Sequence, residues 1–305
     1  MSNWKLEARQ YWEDGMSQRQ IAKHLDIPRS TVGDYIRKLG SVPYDSAPAV
    51  DGPKILFIDI ETKPILGHVW RLWDQNVGLN QIVEDWSILS FCAKWKGTEE
   101  VIYQDLEGQD DFEDDAVLLD SLWRLLNEAD IVIGQNSRRF DVKKIFARFI
   151  LNGLPKPSHF RQIDTMEIAK RQFGFTSNKL EYMTDKLCTV YKKQTHKQFP
   201  GHLLWAECLK GNPEAWAEMK DYNIYDVLSL EELYDILSSW DDKLPNFDVY
   251  VDGILDMDEW VKDGFHYSNF GKYQRYRNIT TGVQRRSRVN ELSKEKRKTL
   301  LSNIV

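Results

Sequence analysis

Asp59 and Glu61 sit two residues apart in the run Lys54-Ile-Leu-Phe-Ile-Asp-Ile-Glu-Thr62. Five of the six residues from Ile55 to Ile60 are bulky and apolar, the composition of a strand buried on both faces, where an acid is costly. Strand side chains alternate, so both carboxylates project to one side, about 6.5–7 Å apart along the backbone, and together can share divalent cations. A third acid, Asp141, ends Gln135-Asn-Ser-Arg-Arg-Phe-Asp141 at a strand-to-helix junction, the usual place for a ligand in an open α/β sheet. A fourth, Asp226, closes Tyr222-Asn-Ile-Tyr-Asp226. Tyr222 and Asp226 are i and i+4 on a helical pattern, so phenol and carboxylate share a face and can act on one water. Read singly, Asp59 is equally a solvated strand-end residue and Asp141 an N-cap.

Three distant stretches must deliver these groups to one place. After the opening strand, Lys63-Pro64 ends the pattern and an aromatic segment with Trp70, Trp73 and Trp86 follows. Ile88–Trp95 and Glu100–Gln104 read as the second and third strands of a meander. Asp114–Glu128 is helical, with Val117, Leu118, Leu122, Leu125 and Leu126 on one face. Asp130–Gly134 is a short buried strand and Val142–Asn152 a second helix. Gln162-Ile-Asp-Thr-Met166 and Asn178-Lys-Leu-Glu-Tyr-Met183 follow among further helical segments. Pro213–Trp240 is a long helical pattern that holds Tyr222 and Asp226. The fold class is α/β, a mixed sheet flanked by helices.

Two segments of different composition flank this body. Lys5–Asp14, Ser17–Leu25 and Arg29–Leu39 read as short helices, Ser17 capping the second, with Ile21, Leu25, Ile27, Val32, Ile36 and Leu39 as an apolar face. Residues 1–42 thus resemble a helix-turn-helix, which puts Ser30, Thr31, Tyr35, Arg37 and Lys38 on a candidate DNA-recognition helix. Residues 43–51, rich in Pro, Ser and Ala, read as a linker, and 52–242 as the main domain. Residues 243–305 form a last segment, in which Asp248-Val-Tyr-Val-Asp252-Gly and Tyr273-Gln-Arg-Tyr-Arg-Asn278-Ile-Thr-Thr281-Gly resemble the two knuckles of a zinc ribbon. Val249, Asp252, Asn278 and Thr281 stand where the cysteines would be, so no zinc is expected, and Tyr267, Phe270, Tyr273 and Tyr276 are expected to pack in its place.

The 305 residues are 42% hydrophobic and 12% aromatic, ample for a core. Cys92, Cys188 and Cys208 are far apart and form no CxxC pair, which argues against a disulfide framework and for a reducing cytoplasm. No apolar run reaches membrane-spanning length, so no membrane partner is expected. The net charge is −6, yet from Gly271 onward ten Lys and Arg face two Glu, +8, which leaves −14 on the rest. An acidic body with a basic tail suits a metal-dependent enzyme acting on a polyanion.

Asp59-Ile-Glu61, Asn136-x-x-x-Phe140-Asp141 and Tyr222-x-x-x-Asp226, in this order, resemble the three motifs of the DEDD superfamily of 3′–5′ exonucleases. Tyr four residues before the last Asp marks the tyrosine subgroup, which includes polymerase proofreading domains and ribonuclease D. The histidine subgroup carries His five residues before it, where this chain has Asp221. The resemblance spans residues 52–242. It implies a ribonuclease-H-like fold with a mixed five-stranded sheet whose first three strands are antiparallel. It also implies two Mg²⁺ or Mn²⁺ ions, with Asp59 bridging them, Glu61 and Asp226 on one and Asp141 on the second, and Tyr222 orienting the attacking water. Carboxylates are the right donors for such hard cations. Two ions about 3.5–4 Å apart can place a hydroxide on phosphorus and stabilise the leaving 3′ oxygen. With an ordinary pKa near 10, Tyr222 suits water positioning better than proton abstraction.

On this reading Thr62, Asn136, Phe140, Trp70 and Trp73 contact substrate beside the acids, the two Trp by stacking on bases, while Arg275, Arg277, Arg285 and Arg286 grip its backbone. The expected activity is 3′–5′ exonucleolytic release of nucleoside monophosphates, from DNA rather than RNA because of the helix-turn-helix. A replicative polymerase is a further candidate partner. The competing readings are an exoribonuclease similar to ribonuclease D, and a DNA-binding regulator whose nuclease-like domain is inactive. Retention of all four acids and the Tyr argues against the latter.

Overall fold

The computed structural model describes residues 4–13, 16, 18–40, 47, 52–74, 76–191 and 198–302. These residues belong to two compact units, Met1–Tyr234 and Asp235–Val305. The first opens with three helices, α1 (Trp4–Glu13), α2 (Gln18–Leu25) and α3 (Arg29–Gly40). Asp26, at φ 52°, makes the left-handed bend between α2 and α3, a conformation that Asp tolerates. Ala8, Ile21, Ala22, Val32, Tyr35 and Ile36 close a small core. Tyr35 was expected on the nucleic-acid face and is instead buried, edge-on to Trp4 at 5.4 Å. Its spacing explains this: with Val32 and Ile36 it completes the i, i+3, i+4 stripe that faces α1. Ser30 and Thr31 are exposed. The side chains of Arg37 and Lys38, the cap Ser17 and all of the 43–51 linker but Ala47 lie outside the described residues.

A five-stranded mixed sheet follows, in the order β5-β4-β1-β6-β7. Its strands are β1 (Ile55–Thr62), β4 (Ile88–Trp95), β5 (Ile102–Asp105), β6 (Ile131–Gly134) and β7 (Arg161–Asp164), while β2 (Leu66–Gly67) and β3 (Ile82–Glu84) form a separate ribbon in the excursion between β1 and β4. β1 pairs antiparallel with β4 and β4 with β5, whereas β6 runs parallel to both β1 and β7. The strand with the two acids is therefore the centre of the sheet. The helices α4 (Ala116–Glu128), α5 (Asp141–Leu151), α6 (Thr165–Gln172), α7 (Leu180–Leu187), α8 (Leu203–Leu209) and α9 (Pro213–Ser238) complete the order. The three N-terminal helices are tied to this body by ion pairs, Lys5 to Asp114 at 2.7 Å and Arg9 to Asp120 on α4.

Alternation along β1 sorts its residues. Leu56, Ile58 and Ile60 join the main core with Leu118, Leu122 and Leu125 of α4 and Val142, Ile145 and Phe149 of α5. Phe57 points to the other side, where its ring meets Tyr234 of α9 at 5.8 Å. Asp59 and Glu61 share parity with Phe57, so they too face the α9 side.

The second unit carries β8 (Trp260–Ser268), β9 (Gly271–Asn278) and β10 (Gln284–Asn290), an antiparallel sheet in the order β10-β9-β8, then α10 (Lys294–Thr299). Tyr267 and Phe270 do not form the packed substitute for zinc that the sequence suggested, since both rings are exposed. The sheet presents both faces to solvent, so Tyr267 has no core to enter, and Phe270 sits in the turn between β8 and β9. Asn278, in the second knuckle-like turn, accepts hydrogen bonds from the Thr280 and Thr281 amides and the Thr281 hydroxyl.

Candidate metal centre

β1 delivers Asp59 and Glu61, and α9 delivers Asp226. Carboxylate oxygens of these three residues all lie within 4.8 Å of one another, and no other such group of acids, His and Cys occurs among the described residues. Asp226 is buried, Asp59 and Glu61 partly so. Three converging acids carry mutual repulsion that a divalent cation offsets, and an all-oxygen donor set fits Mg²⁺ or Mn²⁺ rather than zinc.

Asn223, which the sequence reading passed over, is wholly buried and fixes this cluster. Its Nδ2 donates to Asp59 Oδ2 at 2.6 Å, and its Oδ1 accepts from the Ser90 hydroxyl at 3.2 Å. One side chain thereby joins β1, β4 and α9. Its signal in the sequence is its place three residues before Asp226 on the same helix face. Tyr222 is half-buried, with its ring edge-on to Trp205 at 6.4 Å. Cys92, opposite Asp59 on β4, has its thiol pKa pushed up chiefly by burial and then by the charges of Asp59 and Asp226.

Asp141 stands apart from the three-acid group. It is the first residue of α5 and is buried, with Oδ1 accepting from the Ile60 amide at 3.1 Å, so its carboxylate lies against β1 between the two acid positions. Burial pushes its pKa up to about 7, opposed by hydrogen bonds from the Ile60 and Asp141 amides and reinforced by Asp164 and Asp226. The loop before it is built with care. A Cβ on Gly134 would come within 2.5 Å of Ser137 Cβ and 3.2 Å of Ile58 O, so only glycine lets the turn approach β1 this closely. Asn136 takes the left-handed conformation at φ 62°. Asp164, a second residue the sequence left without a role, caps α6 through the Met166 amide at 3.0 Å and also accepts from the Asn136 amide at 2.9 Å. Its pKa is raised by burial despite these donors.

A cavity of about 610 Å³ opens beside the acids. Asp59, Asp226 and Asn136 line it, joined by Gln135, Asn178, Lys170 and Lys179, none of which the sequence had marked as site residues. Thr62, Phe140, Trp70 and Trp73 are not among its described lining residues. Thr62 ends β1 just past Glu61, beyond a register shift with β4. Phe140 is partly exposed, with Lys144 Nζ 5.8 Å from its ring centre. Trp70 and Trp73 lie in the excursion after β2 and are 93% and 79% exposed.

The four arginines assigned to substrate divide between two faces of the second unit's sheet. Arg286 lies directly opposite Arg275, and Arg277 is two residues along the same strand, so these three share a face. Arg285 has the other parity. It forms an ion pair with Asp248 and stacks on Trp260 at 5.1 Å. It therefore does not join the other three.

A family model described as the RNase_H superfamily matches residues 76–238. Similar solved structures include a family B DNA polymerase from the hyperthermophilic archaeon Pyrobaculum calidifontis, at 14% identity and a TM-score of 0.45, with 68% of this chain and 31% of that one covered. Trypanosoma brucei RNase D is similar at 14% identity and a TM-score of 0.38, with 74% and 72% covered. The chain thus spans about a third of the polymerase's length. No curated protein matches.

Proposed function

This chain belongs to the RNase_H superfamily, and on that premise we propose that it is a metal-dependent exonuclease of the tyrosine DEDD type, releasing nucleoside monophosphates from the 3′ end of DNA. The observation that carries the reading is the convergence of Asp59, Glu61 and Asp226. When bound there, a pair of Mg²⁺ or Mn²⁺ ions supplies a hydroxide nucleophile and stabilises the departing 3′ oxygen. Asp59, Glu61 and Asp226 would hold such a pair, and Asn223 fixes the Asp59 carboxylate by its hydrogen bond. Asp141 would complete the donor set from the α5 side. Tyr222, one helical turn before Asp226, orients the attacking water, and Asn136 in the cavity wall contacts the terminal nucleotide. Preference for DNA rests on the three N-terminal helices, whose exposed Ser30 and Thr31 remain available to a duplex.

The test is a divalent-metal titration on end-labelled single-stranded DNA, duplex DNA and RNA. Stepwise shortening from the 3′ end that requires Mg²⁺ or Mn²⁺ is expected. Cleavage from the 5′ end, internal cleavage, or none at any metal concentration overturns the proposal.

A further inference from the structure

We infer that one face of the β8–β10 sheet, built on Arg275, Arg277 and Arg286, binds the phosphate backbone of a single-stranded polynucleotide. This rests on the nuclease reading for the choice of polyanion and on the sheet itself for the binding. A three-stranded sheet ordinarily needs a buried apolar face. Here both faces are open to solvent, and a row of arginines occupies one of them instead of a core. The bulge between Lys262 and Phe265 carries Asp263, whose carboxylate lies 3.5 Å from Arg275 Nε and 3.1 Å from Arg277 Nη2. One acid thus aligns two guanidinium groups, and with Arg286 these four side chains sum to +2.

Arg286 is held differently. Its guanidinium carbon lies 4.1 Å from the centre of the Tyr273 ring, and the hydroxyl end of that ring comes so close to Gly271 that an added Cβ would lie 2.4 Å from it. The stack fixes the guanidinium plane while leaving N–H groups at its edge for a phosphate. Arg275 and Arg277 are spaced by one strand period, about 6.5–7 Å, and Arg286 flanks Arg275 across about 5 Å. An extended polynucleotide can place successive phosphates along such a row. Charge selects the occupant: Trp260–Asn290 holds seven Lys and Arg against one Asp, +6, and the rest of the chain is −12, so a polyanion is repelled elsewhere and attracted to this sheet. The opposite face also holds an ion pair, Arg285 with Asp248, and a cation over a ring, Lys272 over Phe265, and it differs in that Trp260, Phe265, Tyr267 and Tyr276 stand along its strands in place of a row of guanidinium groups.

The experiment is equilibrium binding of fluorescent oligothymidylate and oligouridylate to the full chain in EDTA, across a salt series. The Arg275→Ala/Arg277→Ala/Arg286→Ala variant is expected to flatten the slope of log affinity against log salt by about 2, from about 0.7 per phosphate for single strands. Arg275→Lys/Arg277→Lys/Arg286→Lys, which keeps the charges, is expected to hold the slope, and Arg286→Ala alone to reduce it by about 0.7. Lys262→Ala/Lys272→Ala/Arg285→Ala removes as many charges from the other face and leaves the slope unchanged. An unaltered slope in the first variant, an equal loss in the opposite-face variant, or equal competition by polyaspartate and oligonucleotide overturns the inference. Because no metal is present, failure of the catalytic reading leaves this binding intact, and loss of this binding leaves hydrolysis by the acid cluster to be judged by the metal titration.

Discussion

Asn223→Ala removes one side chain that touches no expected substrate, and its effect can be worked from two hydrogen bonds. The bond to Asp59 is charge-assisted, 2.6 Å long and formed by a wholly buried donor. Hydrogen bonds to charged groups contribute about 1.5–3 kcal/mol, and groups that orient metal ligands typically change metal affinity or activity by about 10–100-fold, which is about 1.4–2.7 kcal/mol. The two routes agree. The variant should therefore raise the Mg²⁺ concentration for half-maximal single-turnover release by about 10–100-fold, with a smaller effect at saturating metal. Loss of the Ser90 partner as well should destabilise the metal-free protein by about 1–3 kcal/mol, a melting-temperature drop on the order of 2–12 °C for a domain of this size. If release slows while the metal midpoint stays at the wild-type value, Asn223 does not act through Asp59, and the reasoning from the Ser90–Asn223–Asp59 chain fails.

Asp59→Ala and Asp226→Ala should each abolish nucleotide release while oligonucleotide affinity in EDTA is retained or rises, since without metal the acids only repel phosphate; retained cleavage by both would reject the site. Tyr222→Phe should lower the single-turnover rate by up to about 100-fold with an unchanged metal midpoint, because water positioning and metal holding fall on different side chains. Gly134→Ala drives a Cβ to 2.5 Å from Ser137 Cβ, so overpacking should cost about 1–3 kcal/mol by chemical denaturation and impair activity through displacement of the Asn136–Asp141 turn. Arg9→Ala should lower the melting temperature of the whole first unit, since Arg9 pairs with the nearly buried Asp120 of α4; independent melting of the N-terminal helices would refute that coupling.

Much of this architecture was legible because two periodicities carry it. The parity of the run around Asp59 separates Leu56, Ile58 and Ile60, which enter the main core with α4 and α5, from Phe57, Asp59 and Glu61, which face the α9 side. β4 was readable to the residue, Ile88–Trp95, since a strand buried on both faces is dominated by apolar residues, here all but Ser90 and Lys94. Tyr35 was misplaced because a tyrosine on a short helix can serve a core or a surface, and only the docking of α1 decides between them. Asn223 and Asp164 escaped because polar residues that work on other polar residues have no periodic signature. Their meaning lies in partners 164 and 28 positions away. Arg285 was grouped with its neighbours by composition, which is blind to the faces of a sheet until strand pairing fixes them.

The arrangement also explains why the acids are divided among three segments rather than drawn from one loop. A strand can place two carboxylates on one side only at i and i+2, and the residue between them must then face the opposite layer, as Ile60 does in the core. A third ligand has to come from whatever covers the acid-bearing side, and α9 covers it, with Asn223 and Asp226 one turn apart and Tyr234 two turns further on along the same flank. The fourth acid cannot come from that side without crowding the first three. It enters instead at the N-terminus of α5, where the Ile60 amide, left over by the register of β1 with its neighbours, gives Asp141 a fixed donor. The four acids are thus held by three elements, β1, α5 and α9. A shift of any one of the three elements changes the distance between carboxylates directly, which is why this centre is sensitive to positions such as Gly134 and Asn223 that hold no ion themselves.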